Sequence, residues 1–362
     1  MAKFVCLVIV SIPLLLLLLG TAAKAQLGNS TNATAVFCFG DSTVDAGNNN
    51  YLNTYFSIAR ANHTPYGCDY DNQAPTGRFS NALVLPDLIA QYIGVARAFP
   101  FLHPSANGMN LTQGVNFASG GAAIIDKLSS NLVLQTPYTF SVQVEWFRNV
   151  TQRLQAVEGA TAAASRIRNA FCLISIGSND FSYKSMDTTT SSLSDADFRS
   201  LLVNTLSTRI QDIYSIGCRR FIVSAIGPLG CTPITLTLMC GPYNATCRSM
   251  CNETTNGIVY AFDVAVENML RNLSASLSGF RYYYNYDAFN ITRDAIRNPA
   301  TYGYTIVDRG CCGSGTTEIG DGCQSYFGLC FDRSKYIFFD AIHPGGKLIS
   351  LLANRLSTSL SS

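Results

Sequence analysis

The stretch Phe37-Cys38-Phe39-Gly40-Asp41-Ser42-Thr43-Val44-Asp45-Ala46-Gly47-Asn48-Asn49-Asn50 decides how the chain is read. Val36 to Phe39 is short, apolar and β-prone. Gly40 ends it, and a polar segment rich in Gly and Asn follows. That is the pattern of a buried strand breaking into a loop, with Asp41 and Ser42 at the strand's carboxyl end. In open α/β sheets ligands bind just outside the carboxyl ends of strands, so Ser42 is a candidate nucleophile. One loop serine is more often a turn or cap residue. The G-x-S-x-G elbow is not met, because position 44 is Val44. A nucleophile needs a base, an orienting acid and an oxyanion hole besides.

The far end of the chain supplies the base and the acid. The run Phe338-Phe339-Asp340-Ala341-Ile342-His343-Pro344 carries one of only three histidines. His63 has Arg60 three residues before it and His103 has Pro100, whereas His343 has Asp340. A spacing of three in a turn or helix start puts both side chains on one face. Asp340 can then hold the tautomer that makes His343 a general base. Two glycine-containing stretches lie between. Gly114 to Ala122 offers backbone N–H groups with no Cβ in the way. Phe171 to Ile176 is a second buried-strand pattern, and Gly177-Ser178-Asn179-Asp180 follows its carboxyl end. An amide there can face an oxyanion.

The coarse structure alternates. Strand-like runs are 36–39, 115–117, 171–176, 221–226 and 280–284; helix-like runs are 81–93, 142–157, 195–216, 258–277 and 347–360. In the third helical run Leu201, Leu202, Leu206, Ile210, Ile213 and Tyr214 recur near the helical period, and Gly217 stops it. Short buried strands alternating with amphipathic helices imply βαβ units and a parallel sheet covered on both faces. The expectation is an α/β chain with a mainly parallel five-stranded sheet in three layers. Thr188 to Ser194 reads as a polar loop. Tyr282-Tyr283-Tyr284 reads as packing on alternate strand faces. Arg78 reads as a structural hydrogen-bonding residue in preference to a substrate-carboxylate ligand. Gly310 to Gly315 lacks the lysine of a phosphate loop.

Composition sets the surroundings. The 362 residues are 48% hydrophobic and 13% charged, with a formal net charge of +2. Low charge argues against disorder and against a nucleic-acid partner, which needs a basic surface. Residues 1–25 read as a signal peptide: Lys3, an apolar run from Phe4 to Leu19, and the cleavage pattern Ala23-Lys24-Ala25. Residues 26–362 then form a single mature domain with no transmembrane segment. Nine N-x-S/T sequons, at Asn29, Asn32, Asn62, Asn110, Asn149, Asn244, Asn252, Asn272 and Asn290, fit a glycosylated, secreted surface. Of 13 cysteines Cys6 leaves with the leader. Cys38 and Cys172 sit inside apolar strand runs and read as buried thiols. Most of the rest fall in two groups, at 231–251 and 311–330, and the stretches 231–251 and 308–332 are expected as disulfide-laced loops. Neither group has a CxxC pair or a nearby histidine, so no metal site is expected.

Gly40-Asp41-Ser42, Gly120, Gly177-Ser178-Asn179-Asp180 and Asp340-Ala341-Ile342-His343, in this order, resemble the four blocks of the GDSL or SGNH hydrolase family. The plant-type secreted GDSL esterase/lipases are the nearest pattern. Residues 45–51, 75–81, 227–231 and 311–313 match it too. Thr43 stands where the family name has Leu, Phe339 where plant members often carry Trp, and Gly345-Gly346 where Thr-Glu is common. The resemblance implies the three-layer α/β/α, flavodoxin-like fold of SGNH hydrolases. It implies a catalytic triad of Ser42, Asp340 and His343, and an oxyanion hole from the N–H groups of Ser42 and Gly120 and the amide of Asn179. It further implies hydrolysis of small-molecule acyl esters or lipids through an acyl-enzyme, with no cofactor, by a monomer in the cell wall or apoplast. Acyl transfer to an alcohol with the same triad is an alternative, and a non-catalytic binding or defence protein on the same scaffold a third.

Overall fold

The computed structural model describes residues 32–52, 60–129 and 138–360. The expected leader, 1–25, and the sequon at Asn29 lie outside the described residues. The strands are β1 (Val36–Gly40), β2 (Phe99–Pro100), β3 (Val115–Asn116), β4 (Phe171–Ser175), β5 (Arg220–Ser224), β6 (Arg281–Asn285), β7 (Ile306–Gly310) and β8 (Tyr336–Phe338). The first six helices are α1 (Leu85–Ile93), α2 (Asp126–Ser129), α3 (Phe140–Glu158), α4 (Ala160–Asn169), α5 (Ser178–Tyr183) and α6 (Thr188–Ser191). Then come α7 (Asp195–Ile216), α8 (Pro233–Cys240), α9 (Ala245–Arg248), α10 (Glu253–Ser276), α11 (Asp287–Arg297) and α12 (Gly346–Leu360).

The central strands are continuous apolar runs because both faces of a parallel sheet are covered. Phe37, Phe39, Cys172, Ile174, Phe221 and Val223 face one layer, which holds α3, α4, α7 and α10. Val36, Cys38, Phe171, Leu173 and Ile222 face the other, which holds α1 and α12. α7 illustrates the rule. Ser194 caps it by accepting the Asp197 N–H, and it stops at Gly217. Leu202, Leu206, Ile210 and Ile213 are its buried stripe, each worth about 1.5–3 kcal/mol of burial. Leu201 turns to the solvent side.

The sheet order is β2-β3-β1-β4-β5-β6, all parallel. It therefore has six strands instead of the expected five. The sixth, β2, is a two-residue edge strand, Phe99-Pro100, too short for alternation to register. From β1 the chain builds first toward β3 and β2, then crosses to β4 on β1's other side. The order thus reverses between β1 and β4, the place where doubly wound sheets open a crevice. Ser42 follows β1 and Asn179 follows β4.

Three local expectations change. Residues 188–191 form one helical turn, whose first N–H groups Asp187 accepts. The cysteine-rich stretches include α8, α9 and part of the separate β7–β8 pair, and the bridges 231–251, 240–247, 311–330 and 312–323 lace them. Cys172 is not a free thiol: it bridges Cys218, which ends the turn before the neighbouring strand β5. Cys38 is free and buried, and Cys68 is free as well. Among the described residues no helix is long and apolar enough to cross a membrane.

Candidate active site

Gly40 sets the position of Ser42. Its φ is +147°, and a Cβ there would lie 2.0 Å from the Ser175 carbonyl oxygen, so only glycine lets β1 press this closely on β4. Gln143 on α3 clamps the same residue. Its Oε1 accepts the Gly40 N–H at 2.8 Å and its Nε2 donates to the Gly40 carbonyl at 2.9 Å. The Asp41 N–H donates to the Ser175 carbonyl at 3.0 Å, and Asp41 Oδ1 accepts both the N–H and the hydroxyl of Thr43. Ser42 is left at the crest of this turn, half-buried.

Ser42 Oγ lies 2.7 Å from His343 Nε2, and His343 Nδ1 lies 2.7 Å from Asp340 Oδ2. The structure thus brings Ser42 to the pair Asp340–His343, from which the sequence separates it by about 300 positions. His343 is 3% exposed and Asp340 fully buried. Every partner of Asp340 donates. Oδ1 accepts the N–H groups of Ile342 and His343 at 2.8 and 2.7 Å, and Oδ2 accepts the Tyr66 hydroxyl at 2.6 Å. The carboxylate therefore fixes a proton on Nδ1 and leaves the Nε2 lone pair toward Ser42. Tyr66 in turn accepts the Gly320 N–H at 2.8 Å. Burial, then the neighbouring Asp340 charge, raises the phenol's pKa well above its usual value, so it stays a donor.

The segment 78–81 supports the histidine from the side. The Phe79 ring packs on the His343 ring at 4.9 Å. Asn81 Oδ1 accepts the Gly346 N–H at the start of α12, and Ser80 Oγ donates to the Pro344 carbonyl. Arg78 holds the loop, not a ligand. It is 6% exposed, forks onto Asp87 with two 2.7 Å bonds, and also reaches Thr76.

Gly120 and Asn179, expected as oxyanion donors, line the same cavity as Ser42. Asn179 opens α5, and its Nδ2 donates to the Ala122 carbonyl at 2.9 Å, leaving a second amide hydrogen. Asp180 ties that helix to the neighbouring turn by accepting the Ile124 and Ile125 N–H groups. Gly120 lines the site, but its N–H is engaged: Asp45 Oδ2 accepts it at 3.1 Å, as Asp45 Oδ1 accepts those of Gly47 and Asn48. The next residue, Gly121, lines the same space, and among the described residues no acceptor takes its N–H or that of Ser42.

A cavity of about 230 Å³ opens at Ser42 and His343 and runs between the carboxyl ends of β4–β6 and α11–α12. Its wall is mainly apolar, with Ile226, Leu229, Ile342, Leu348, Ile349 and Leu352 contributing. Among the described residues no group of three or more His, Cys, Asp or Glu side chains is placed to hold a metal ion.

Of the residues singled out from the sequence, the structure brings Ser42, Asp340, His343 and Asn179 to one place; Tyr66 and Gln143, which support it, are not among them. No local signal marks those two. Their partners lie 274 and 103 residues away, and only the fold brings them in.

Residues 36–356 match the model of the GDSL-like lipase/acylhydrolase family. One GDSL esterase/lipase of Arabidopsis thaliana is 34% identical over 95% of this chain and 94% of its own length. A second is 34% identical over 90% of this chain and 89% of its length. GDSL esterase/lipase 7 of the same plant is 35% identical over 86% and 84%. A site at the sheet's switch point, a family model spanning nearly the whole described chain and relatives matched end to end agree: the chain belongs to the GDSL-like lipase/acylhydrolase family.

Proposed function

We propose that this protein is a secreted serine hydrolase of carboxylic esters, with 26–362 as one mature catalytic unit. The observation that carries the reading is the unbroken contact chain Ser42 Oγ–His343 Nε2, His343 Nδ1–Asp340 Oδ2, two steps of 2.7 Å each. Ser42 attacks the acyl carbon while His343 takes its proton. His343 then hands that proton to the departing alcohol, leaving an acyl-enzyme. A water activated by His343 releases the acid and restores Ser42. Asp340 keeps the imidazole in the working tautomer and stabilises the imidazolium.

The negative charge on the carbonyl oxygen falls to the Ser42 N–H, the spare Asn179 amide hydrogen and a backbone N–H of the Gly120–Gly121 turn. Asp45 already engages Gly120, which favours Gly121 as that third donor. Each donor is worth about 3 kcal/mol in the transition state. The apolar cavity suits the acyl chain of an ester or lipid. Secretion accords with ten bridged cysteines. Of the sequons, Asn32, Asn62, Asn149, Asn244, Asn272 and Asn290 are exposed. Hydrolysis of 4-nitrophenyl esters by the purified protein, lost in Ser42→Ala and in His343→Ala, tests the activity. Turnover that survives Ser42→Ala refutes it.

A further inference from the structure

The turn from Ser119 to Ile125 has almost every backbone N–H tied down. The Ser119 N–H donates to the Gly40 carbonyl at 3.0 Å, and the Ala122 N–H to the Ser119 carbonyl at 3.1 Å. Asp45 Oδ2 accepts that of Gly120, and Ser129 Oγ that of Ala123 at 2.8 Å. Asp180 takes the next two, from Ile124 and Ile125. In this run only the Gly121 N–H has no acceptor among the described residues. Its direction is set by the other end of its own peptide. The Gly120 carbonyl and the Gly121 N–H belong to one planar trans unit and point opposite ways. Asn49 Nδ2 donates to that carbonyl at 3.0 Å. Asn49 Oδ1 accepts the Ser119 hydroxyl at 2.5 Å, so the side-chain amide is held at both ends, and only its NH2 can face a carbonyl. Asp45 ties the two segments together, since Oδ2 takes the Asn49 N–H at 3.4 Å as well as that of Gly120. The fit is close: a Cβ on Gly120 would lie 2.6 Å from Asn49 Nδ2 and 3.0 Å from the Phe79 ring. Asn49 is fully buried behind the cavity wall, whereas Gly120 and Gly121 are part of that wall.

We propose that Asn49 is a positioning residue for ester cleavage: by holding the Gly120 carbonyl away from the cavity, it aims the Gly121 N–H into the cavity as an oxyanion donor. A hydrogen bond to the carbonyl also polarises the peptide and strengthens its N–H as a donor. Asn49 itself touches no substrate atom. Its amide therefore acts through Gly121, at the stage where charge develops on the carbonyl oxygen, and contributes little to ground-state binding. The inference rests on the esterase reading and adds to it the buried side chain that orients one of its donors.

Asn49→Leu keeps the size of the side chain and removes its amide. On 4-nitrophenyl esters kcat should fall about ten- to a hundredfold while KM stays within about threefold, somewhat less than deleting a donor outright. The inhibition constant of an alkyl boronic acid, whose tetrahedral adduct on Ser42 sets an oxygen where the oxyanion forms, should rise by a similar factor. Rates are referred to active sites counted with a fluorophosphonate, so that a loss of folded protein does not imitate the effect. A second measurement uses the wild-type chain, should the variant fail to fold. In protein labelled with nitrogen-15 glycine, forming the boronate adduct should shift the Gly121 amide resonance strongly and leave that of Gly120 nearly in place. An Asn49→Leu protein with kcat and boronate affinity within about threefold of wild type, or one that loses affinity for substrate and boronate alike with kcat kept, overturns the inference. So does an adduct that moves the Gly120 resonance and not that of Gly121. In each of these cases hydrolysis that Ser42→Ala abolishes leaves the esterase reading standing. A wild-type protein that neither cleaves an ester nor forms the adduct overturns the esterase reading, and this inference with it.

Discussion

Asp340→Asn isolates the tautomer. Its consequence follows from the donors around the carboxyl. At Oδ1 two backbone N–H groups, of Ile342 and His343, arrive at 2.8 and 2.7 Å. They are fixed by the main chain and cannot turn. An asparagine with its NH2 on that side would orphan both, at about 1–3 kcal/mol each. The carbonyl oxygen must therefore take the Oδ1 place, and the NH2 the Oδ2 place, facing His343 Nδ1. The imidazole can meet a donor there only by moving its proton to Nε2. That nitrogen then points a hydrogen at Ser42 Oγ and has no lone pair to accept one. The Tyr66 hydroxyl, which already accepts the Gly320 N–H, must accept again and turn its own proton away. The expected loss in kcat is about 10⁴-fold, the size seen for this change in other serine enzymes, or about 5.5 kcal/mol at 1.36 kcal/mol per decade. The assay is burst and steady-state turnover of a 4-nitrophenyl ester, with circular dichroism to establish folding. A folded Asp340→Asn protein keeping kcat within tenfold of wild type refutes the tautomer argument.

Tyr66→Phe removes a donor to a carboxylate and orphans the Gly320 N–H; a loss of about 3–5 kcal/mol of stability is expected. The fall in kcat should be much smaller than for Asp340→Asn, since two backbone donors still hold Asp340, and an unchanged melting temperature contradicts this. Arg78→Met leaves the Asp87 carboxylate buried without its counter-charge, held only by the Val84 N–H, which should destabilise the fold by about 3–5 kcal/mol; chemical denaturation measures it, and a loss below about 1 kcal/mol would mean that the pair relaxes into solvent. Burial pushes Asp263 up to about 8 and Asp180 up to about 7, so each keeps a proton that the unfolded chain releases near its ordinary value of about 3.9. Stability from these groups is full below about pH 4 and declines as pH rises toward about pH 8. Melting temperatures from pH 5 to pH 8 should show a shallower decline in Asp263→Asn than in wild type, and an equal slope in both counts against a proton on Asp263.

What the sequence made legible was what chemistry writes locally. Apolar runs ending in Gly40 and Gly177 marked two strand ends. With three histidines and one acid at a spacing of three, Asp340–His343 stood out without any fold. The rest depends on proximity that no local pattern encodes. Tyr66 and Gln143 touch the site across 274 and 103 residues. β2 is two residues long, and strand alternation needs more. Cys172 looked apolar because its strand is, yet its neighbour in space, Cys218, lies 46 residues on. Gly120 lines the cavity, but its N–H turns to Asp45, a detail set by how the loop after β1 folds back on the loop after β3.

The most direct test of the account is covalent capture of the nucleophile. Wild-type protein should react stoichiometrically with a fluorophosphonate, lose its ester hydrolysis in step, and yield a single adduct mapped by mass spectrometry to Ser42, with slow reaction in His343→Ala and none in Ser42→Ala. An adduct on another serine, or ester hydrolysis that survives full labelling of Ser42, would contradict it.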